Sequence, residues 1–208
     1  DWWWFSEVGH TQIFIKSLIA KIALFLVAGI FAVVFLLANF FLAIRSKISW
    51  TAILPEALIG RPVNVDNHIV KKLAVVLSVV IALFFGLVAA ANWQEALKFI
   101  SGAAFGAADP IFGKDIGFYL FSLPVFQIGL GLIKFLVLLA LIGCAIIYFL
   151  RGSLYVASLQ LLKQMRIERA ARIHLGILLV IFLVTVAAGS YLSRFTLVTS
   201  QGSLVFGA

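Results

Sequence analysis

The sequence predicts an all-α fold, a polytopic transmembrane helical bundle, and three features carry that prediction: an apolar composition, four uncharged or nearly uncharged runs of bilayer-crossing length, and basic clusters confined to the connections between them. The 208 residues are 64% hydrophobic and 12% charged, whereas soluble domains are about 45–50% apolar and about 25% charged. A single folded core cannot hide so much Leu, Ile, Val, Phe and Ala, so the excess must face lipid.

A hydrocarbon layer about 30 Å thick takes roughly 20 helical residues to cross. The first span is expected over 22–44, interrupted by Asn39, and the second over 73–91, interrupted by Ser78. The third, 125–150, contains Gln127 and Lys134; the fourth, 173–192, contains Thr185 and Ser190. Backbone polar groups find no partner in lipid except within a helix or a closed barrel, which favours helices here. Lys134 is the intramembrane ionisable residue: a helix starting near Ile128 would place it about 9 Å deep, where its stem reaches toward headgroups.

Charge then sets orientation. Connection 45–72 carries Arg45, Lys47, Arg61, Lys71 and Lys72, and connection 151–172 carries Arg151, Lys163, Arg166, Arg169 and Arg172. The middle connection, 92–124, offsets Lys98 and Lys114 with Glu95, Asp109 and Asp115. The positive-inside rule makes the two basic connections cytoplasmic and places the N-terminus and the middle connection outside. Trp2, Trp3, Trp4, Trp50 and Trp93 fall near span ends, as indole anchors do. The net charge of +8 therefore reads as topology and contact with membrane lipid, and nucleic acid is not expected as a partner. Residues 1–208 read as one transmembrane domain. With Asp1 at the start and Met165 as its one methionine, the chain is expected to be a fragment of a longer protein.

Two connections have helical texture. Trp93, Leu97 and Ile100 share one side of the segment from Asn92 to Ile100, the pattern of an interfacial amphipathic helix. Leu154, Leu161, Leu162 and Ile167 alternate with basic and polar residues through 151–172, which predicts a second such helix on the inner leaflet. Gly86, Gly129 and Gly131 are expected to let helices approach closely.

The run from Asp109 to Phe126, DPIFGKDIGFYLFSLPVF, is the most unusual text. Asp109, Lys114 and Asp115 raise the question of an ion site, but the oxygen-ligand series of a calcium loop is missing. The expected roles are local: Asp109 caps a turn, and Asp115 opens the next helical segment and pairs with Lys114. Within that run Asp109, Pro110, Phe112, Gly113, Asp115, Gly117, Phe118, Tyr119, Leu123 and Pro124 form a pattern that resembles the signature of uncharacterised protein family 0182. The opening DWWWFSEVGH and the segment Ala171-Arg172-Ile173-His174-Leu175 are similar to the same family in the same order, with His10 where tyrosine is usual. The resemblance implies a larger bacterial protein with about seven N-terminal spans and a large extracytoplasmic domain, of which this chain is the membrane part in fragment. It implies no catalytic residue.

The residues offer no chemistry of their own. His10, His68 and His174 fall on different sides of the expected topology and make no metal-ligand set. His174 reads as an interfacial residue opening the fourth span. Cys144, the single cysteine, lies in an apolar run. No phosphate loop or nucleophile elbow occurs, so neither cofactor nor enzymatic activity is expected. The expected role is a scaffold or anchor in the bacterial cytoplasmic membrane, holding an extracytoplasmic domain in the cell envelope, with protein partners or self-association possible; the alternative is a transporter or channel component, for which Lys134 is the candidate.

Overall fold

The N-terminal tryptophans form the first helical turn and a half in the computed structural model, which describes residues 2–45, 67–151, 154–155 and 166–199. Helix α1 is Trp2–Glu7 and α2 is Thr11–Ile44. Between them Gly9 takes φ 76°, a left-handed value that glycine adopts without steric cost. The reversal lays α1 on the start of α2, with the rings of Trp2 and Phe5 each 5.6 Å from Phe14.

The remaining helices follow as α3 (Asn67–Ala91), α4 (Trp93–Ser101), α5 (Leu123–Leu150) and α6 (Arg169–Thr199). Four of these helices are long and apolar enough to cross a membrane: Thr11–Ile44, Asn67–Ala91, Phe118–Leu150 and Arg169–Leu197. Each contains one of the four apolar runs, and each starts before its run. α2 continues N-terminally through Lys16 and Lys21, because helix formation is limited by backbone hydrogen bonding and not by the edge of the hydrocarbon. The ammonium of Lys21 sits 5.1 Å from the centroid of Trp93, so a cation and an interfacial indole meet at the same level of α2 and α4.

A π-helical turn, Phe118–Ser122, leads into α5. The N–H of Leu123 reaches back to the carbonyl of Phe118, and Pro124 follows in the first turn of α5, where its missing N–H is tolerated. After α5 the inner-leaflet helix expected over 151–172 is not formed at the described residues. Leu154–Tyr155 pairs antiparallel with Arg166–Ile167 as two-residue strands β1 and β2, and α6 begins only at Arg169. Trp50, Lys47, Arg61 and Lys163 lie outside the described residues.

The chain divides into two compact units that draw on the same four long helices. One comprises Ile30–Leu83 and Phe135–Leu183. Its core is a set of narrow stripes: Ala32, Leu36 and Phe40 from α2, Ala74, Ser78 and Ala82 from α3, Val137, Ala140 and Cys144 from α5, and Ala171, His174 and Leu178 from α6. The stripes repeat at three or four residues and are rich in alanine, which lets backbones approach where lipid supplies no hydrophobic drive. Gly143 extends this logic, because a Cβ there would stand 2.5 Å from Cε1 of buried Phe40.

The other unit comprises Asp1–Gly29, Phe84–Lys134 and Val184–Ala208. Its buried residues include Phe85, Ala89, Asp109, Leu123 and Phe195. Gly86 meets α2 so closely that a Cβ would lie 2.7 Å from the Phe25 ring and 2.9 Å from the Phe25 carbonyl oxygen. Gly129 and Gly131 differ from expectation: no atom lies within 4 Å of a Cβ built on either, so they are not points of close packing. On the opposite faces large apolar side chains are open, among them Val27 at 70%, Leu73 at 64% and Val184 at 61% exposure, which only lipid or further protein can cover favourably. The protein is an all-α membrane protein.

Candidate functional site

The signature run folds into a loop whose two carboxylates are consumed by its own backbone. Pro110 biases Asp109 toward an extended backbone, and the Asp109 carboxylate then accepts the N–H groups of Ile111 (3.0 Å) and Phe112 (2.7 Å) and the hydroxyl of Tyr119 (2.8 Å). Gly113, at φ 63°, closes the turn by donating its N–H to the Asp109 carbonyl at 2.9 Å. Asp115 accepts from the N–H groups of Phe105 (3.1 Å), Gly106 (2.9 Å) and Gly117 (2.7 Å). Gly117 is buried with no room for a side chain, since a Cβ would stand 2.7 Å from the Ala103 carbonyl oxygen.

The capping role expected for Asp109 is thus present, while the expected Asp115–Lys114 pair is not. The ammonium of Lys114 lies instead over the Phe118 ring, 5.9 Å from its centroid. Three converging N–H donors outcompete a flexible, solvent-exposed lysine for the carboxylate. With their oxygens engaged in this way the two aspartates hold the loop together.

These hydrogen bonds set the titration of the loop. Burial pulls the Asp109 carboxyl upward, but the Ile111, Phe112 and Tyr119 donors outweigh it and hold it below the ordinary 3.8. For Asp115 the Phe105 and Gly117 N–H groups dominate, and with Gly106 they overcome burial and hold that carboxyl below 3.8 as well. Depressed folded-state values stabilise the loop above the unfolded-state value, and that contribution is lost as pH falls through the lower folded ones. Hydrogen-exchange protection at Phe105, Gly106, Ile111, Phe112 and Gly117, corrected for intrinsic rates, should accordingly be full at neutral pH. It should fall only below 3.8. Protection that decays well above that value would exclude the arrangement.

The aromatic members of the signature converge on α6. Phe195 is 3% exposed, and its ring centroid lies 5.1 Å from Phe112, 5.2 Å from Phe118, 6.3 Å from Tyr119 and 5.9 Å from Tyr191, all edge-on. Such pairs add about 0.5–1.5 kcal/mol each beyond area burial. Arg194 joins the cluster with its guanidinium 3.7 Å from the Tyr191 centroid, 4.5 Å from Phe195 and 5.4 Å from Phe112. Neither Arg194 nor Phe195 was marked by spacing in the sequence; the signal available was an arginine following a run of apolar residues at the end of a span.

A second polar group forms in the unit containing Ile30–Leu83 and Phe135–Leu183. His174 is buried, 9% exposed. Its Nδ1 lies 2.9 Å from the Tyr148 hydroxyl and its Nε2 lies 3.0 Å from Asn39 Oδ1. Asn39 Nδ2 donates to the Phe35 carbonyl at 2.7 Å, which turns Oδ1 toward His174. Nε2 must then carry a hydrogen, and in the neutral ring Nδ1 accepts from Tyr148. Three helices, α2, α5 and α6, are tied by one imidazole.

Lys134 lies within α5. α5 begins at Leu123, eleven residues earlier, so Lys134 stands about 16 Å along the helix from its start. Its side chain is exposed, and with Gln127, Gly131, Thr185 and Gly189 it lines a recess of about 200 Å³. Gln127 and Lys134 are seven residues apart and so share a face of α5.

The family model of the uncharacterised protein family UPF0182 matches residues 1–208. A UPF0182 protein of Geobacter sulfurreducens is 35% identical over 215 residues, covering 100% of this chain and 23% of its own length. One from Trichlorobacter lovleyi is 33% identical over 209 residues, with the same coverage, and one from Salinispora arenicola is 34% identical over 211 residues, covering 100% of this chain and 21% of its own. The chain thus spans between a fifth and a quarter of the length of these relatives. No solved structure matches.

Proposed function

Since the chain belongs to the uncharacterised protein family UPF0182, we propose that it is the membrane-embedded scaffold of a larger cell-envelope protein, holding an extracytoplasmic domain at the bacterial cytoplasmic membrane. The observation that carries this reading is the Tyr148–His174–Asn39 group, in which buried polar atoms of three spans satisfy one another. Polar groups arranged in this way fix helix positions; those of a conduction path are left to meet a passing solute. The signature loop supports the same reading, because its two carboxylates are spent on the loop's own N–H groups.

Transport is the second reading, and one observation favours it. Lys134, Gln127 and Thr185 share a recess on segments long and apolar enough to cross the membrane, and intramembrane ionisable groups commonly mark solute paths. The two readings separate in liposomes containing the full-length protein. The scaffold predicts background flux for a broad panel of ions, amino acids and sugars, whereas flux above background that Lys134→Leu abolishes would overturn it. Orientation is tested separately: a cysteine replacing Ser101 should react with an impermeant maleimide on intact cells, and one replacing Gln164 only after permeabilisation. The opposite pattern would invert the proposed topology.

A further inference from the structure

Arg194 is a cation with no carboxylate partner among the described residues. Three rings cover it, its Nε is buried without a hydrogen-bond partner, and the described residues provide no carboxylate within ion-pair distance of it. Asp109 belongs to the same cluster through Tyr119, but its oxygens already accept from Ile111, Phe112 and Tyr119. Lys114 lies over the Phe118 ring, which packs 5.2 Å from Phe195. Two cations therefore contact one aromatic cluster.

Position identifies what can reach them. Arg194 lies five residues from the end of α6, about 8 Å along the helix from its terminus, where a spanning helix meets the headgroup layer. A planar guanidinium stacked on aromatic faces keeps its N–H edge free, and that edge matches the paired oxygens of a phosphate. We propose that Arg194, assisted by Lys114, binds the phosphate of a membrane phospholipid headgroup, and that the rings of Phe112, Tyr191 and Phe195 hold the guanidinium in place for it. The bound lipid would seat the signature loop on the bilayer surface. This site is independent of whether the protein acts as scaffold or transporter.

Native mass spectrometry of the full-length protein in mild detergent tests this directly, using dioleoyl phosphatidylglycerol and dioleoyl phosphatidylethanolamine as probes and dioleoylglycerol as the phosphate-free match. Wild type should retain the phospholipids and not the diacylglycerol. Arg194→Leu should weaken retention about tenfold or more, the change expected for loss of a charge-assisted hydrogen-bonded contact. Lys114→Gln should produce a smaller loss. Should Arg194→Leu fail to fold, Arg194→Lys provides the same test, since it keeps the charge and loses the fork: retention should drop severalfold at an unchanged unfolding midpoint. Equal retention of diacylglycerol, phospholipid retention untouched by these variants, or displacement of the lipid by excess inorganic phosphate would each overturn the proposal, the last by showing a site for the free anion.

Discussion

His174→Leu is expected to destabilise the membrane region by about 1–3 kcal/mol, the cost of leaving buried hydrogen-bonding groups without partners. Leucine fills the space but strands the Tyr148 hydroxyl and Asn39 Oδ1, which lie 2.9 and 3.0 Å from the imidazole nitrogens. Thermal unfolding in detergent, read by an intrinsic fluorophore, measures the loss. A double-mutant cycle with Asn39→Leu sharpens it: the pair should couple by about 0.6 kcal/mol and by no more than about 1.7, the range found for hydrogen bonds between membrane helices. Additive effects would show that the imidazole and the amide do not act as one group.

Gly86→Ala carries the other large effect. A methyl group there would stand 2.9 Å from the Phe25 carbonyl oxygen, a backbone atom that cannot rotate away. Overpacking of this kind costs about 1–3 kcal/mol, against which alanine gains roughly 1 kcal/mol in helix propensity. The net change should be destabilising. Gly129→Ala supplies the contrast, because nothing lies within 4 Å of the added atom; the propensity gain then stands alone, and the variant should be neutral or more stable. If both variants behaved alike, the α2–α3 contact at Gly86 would not be as close as described.

The four long helices were legible because lipid imposes a simple requirement, about 20 apolar residues without interruption, and the chain meets it four times. The α4 helix was legible from the spacing of Trp93, Leu97 and Ile100. Partnerships were not. Asn39 stood out as the single polar residue in its run, yet nothing in its local sequence announces a histidine 135 positions away. Asp109 was recognised as a turn former because its donors lie two and three residues on, whereas the donors of Asp115 include Phe105 and Gly106, ten and nine residues back. The start of α5 was hidden for a different reason. The apolar run marks where lipid begins, but the helix starts earlier, through a π turn and Pro124 that no periodicity reveals.

The Tyr148–His174–Asn39 group also constrains how the chain is made. α2 leaves the ribosome long before α6, so Asn39 must enter the bilayer with only its own Phe35 carbonyl to bond. Its second polar atom finds a permanent partner when the last of these spans arrives. The imidazole is thus a late-closing latch, and a nascent protein halted before His174 would hold α2 loosely, with an unsatisfied amide oxygen exposed to acyl chains or to the insertion machinery.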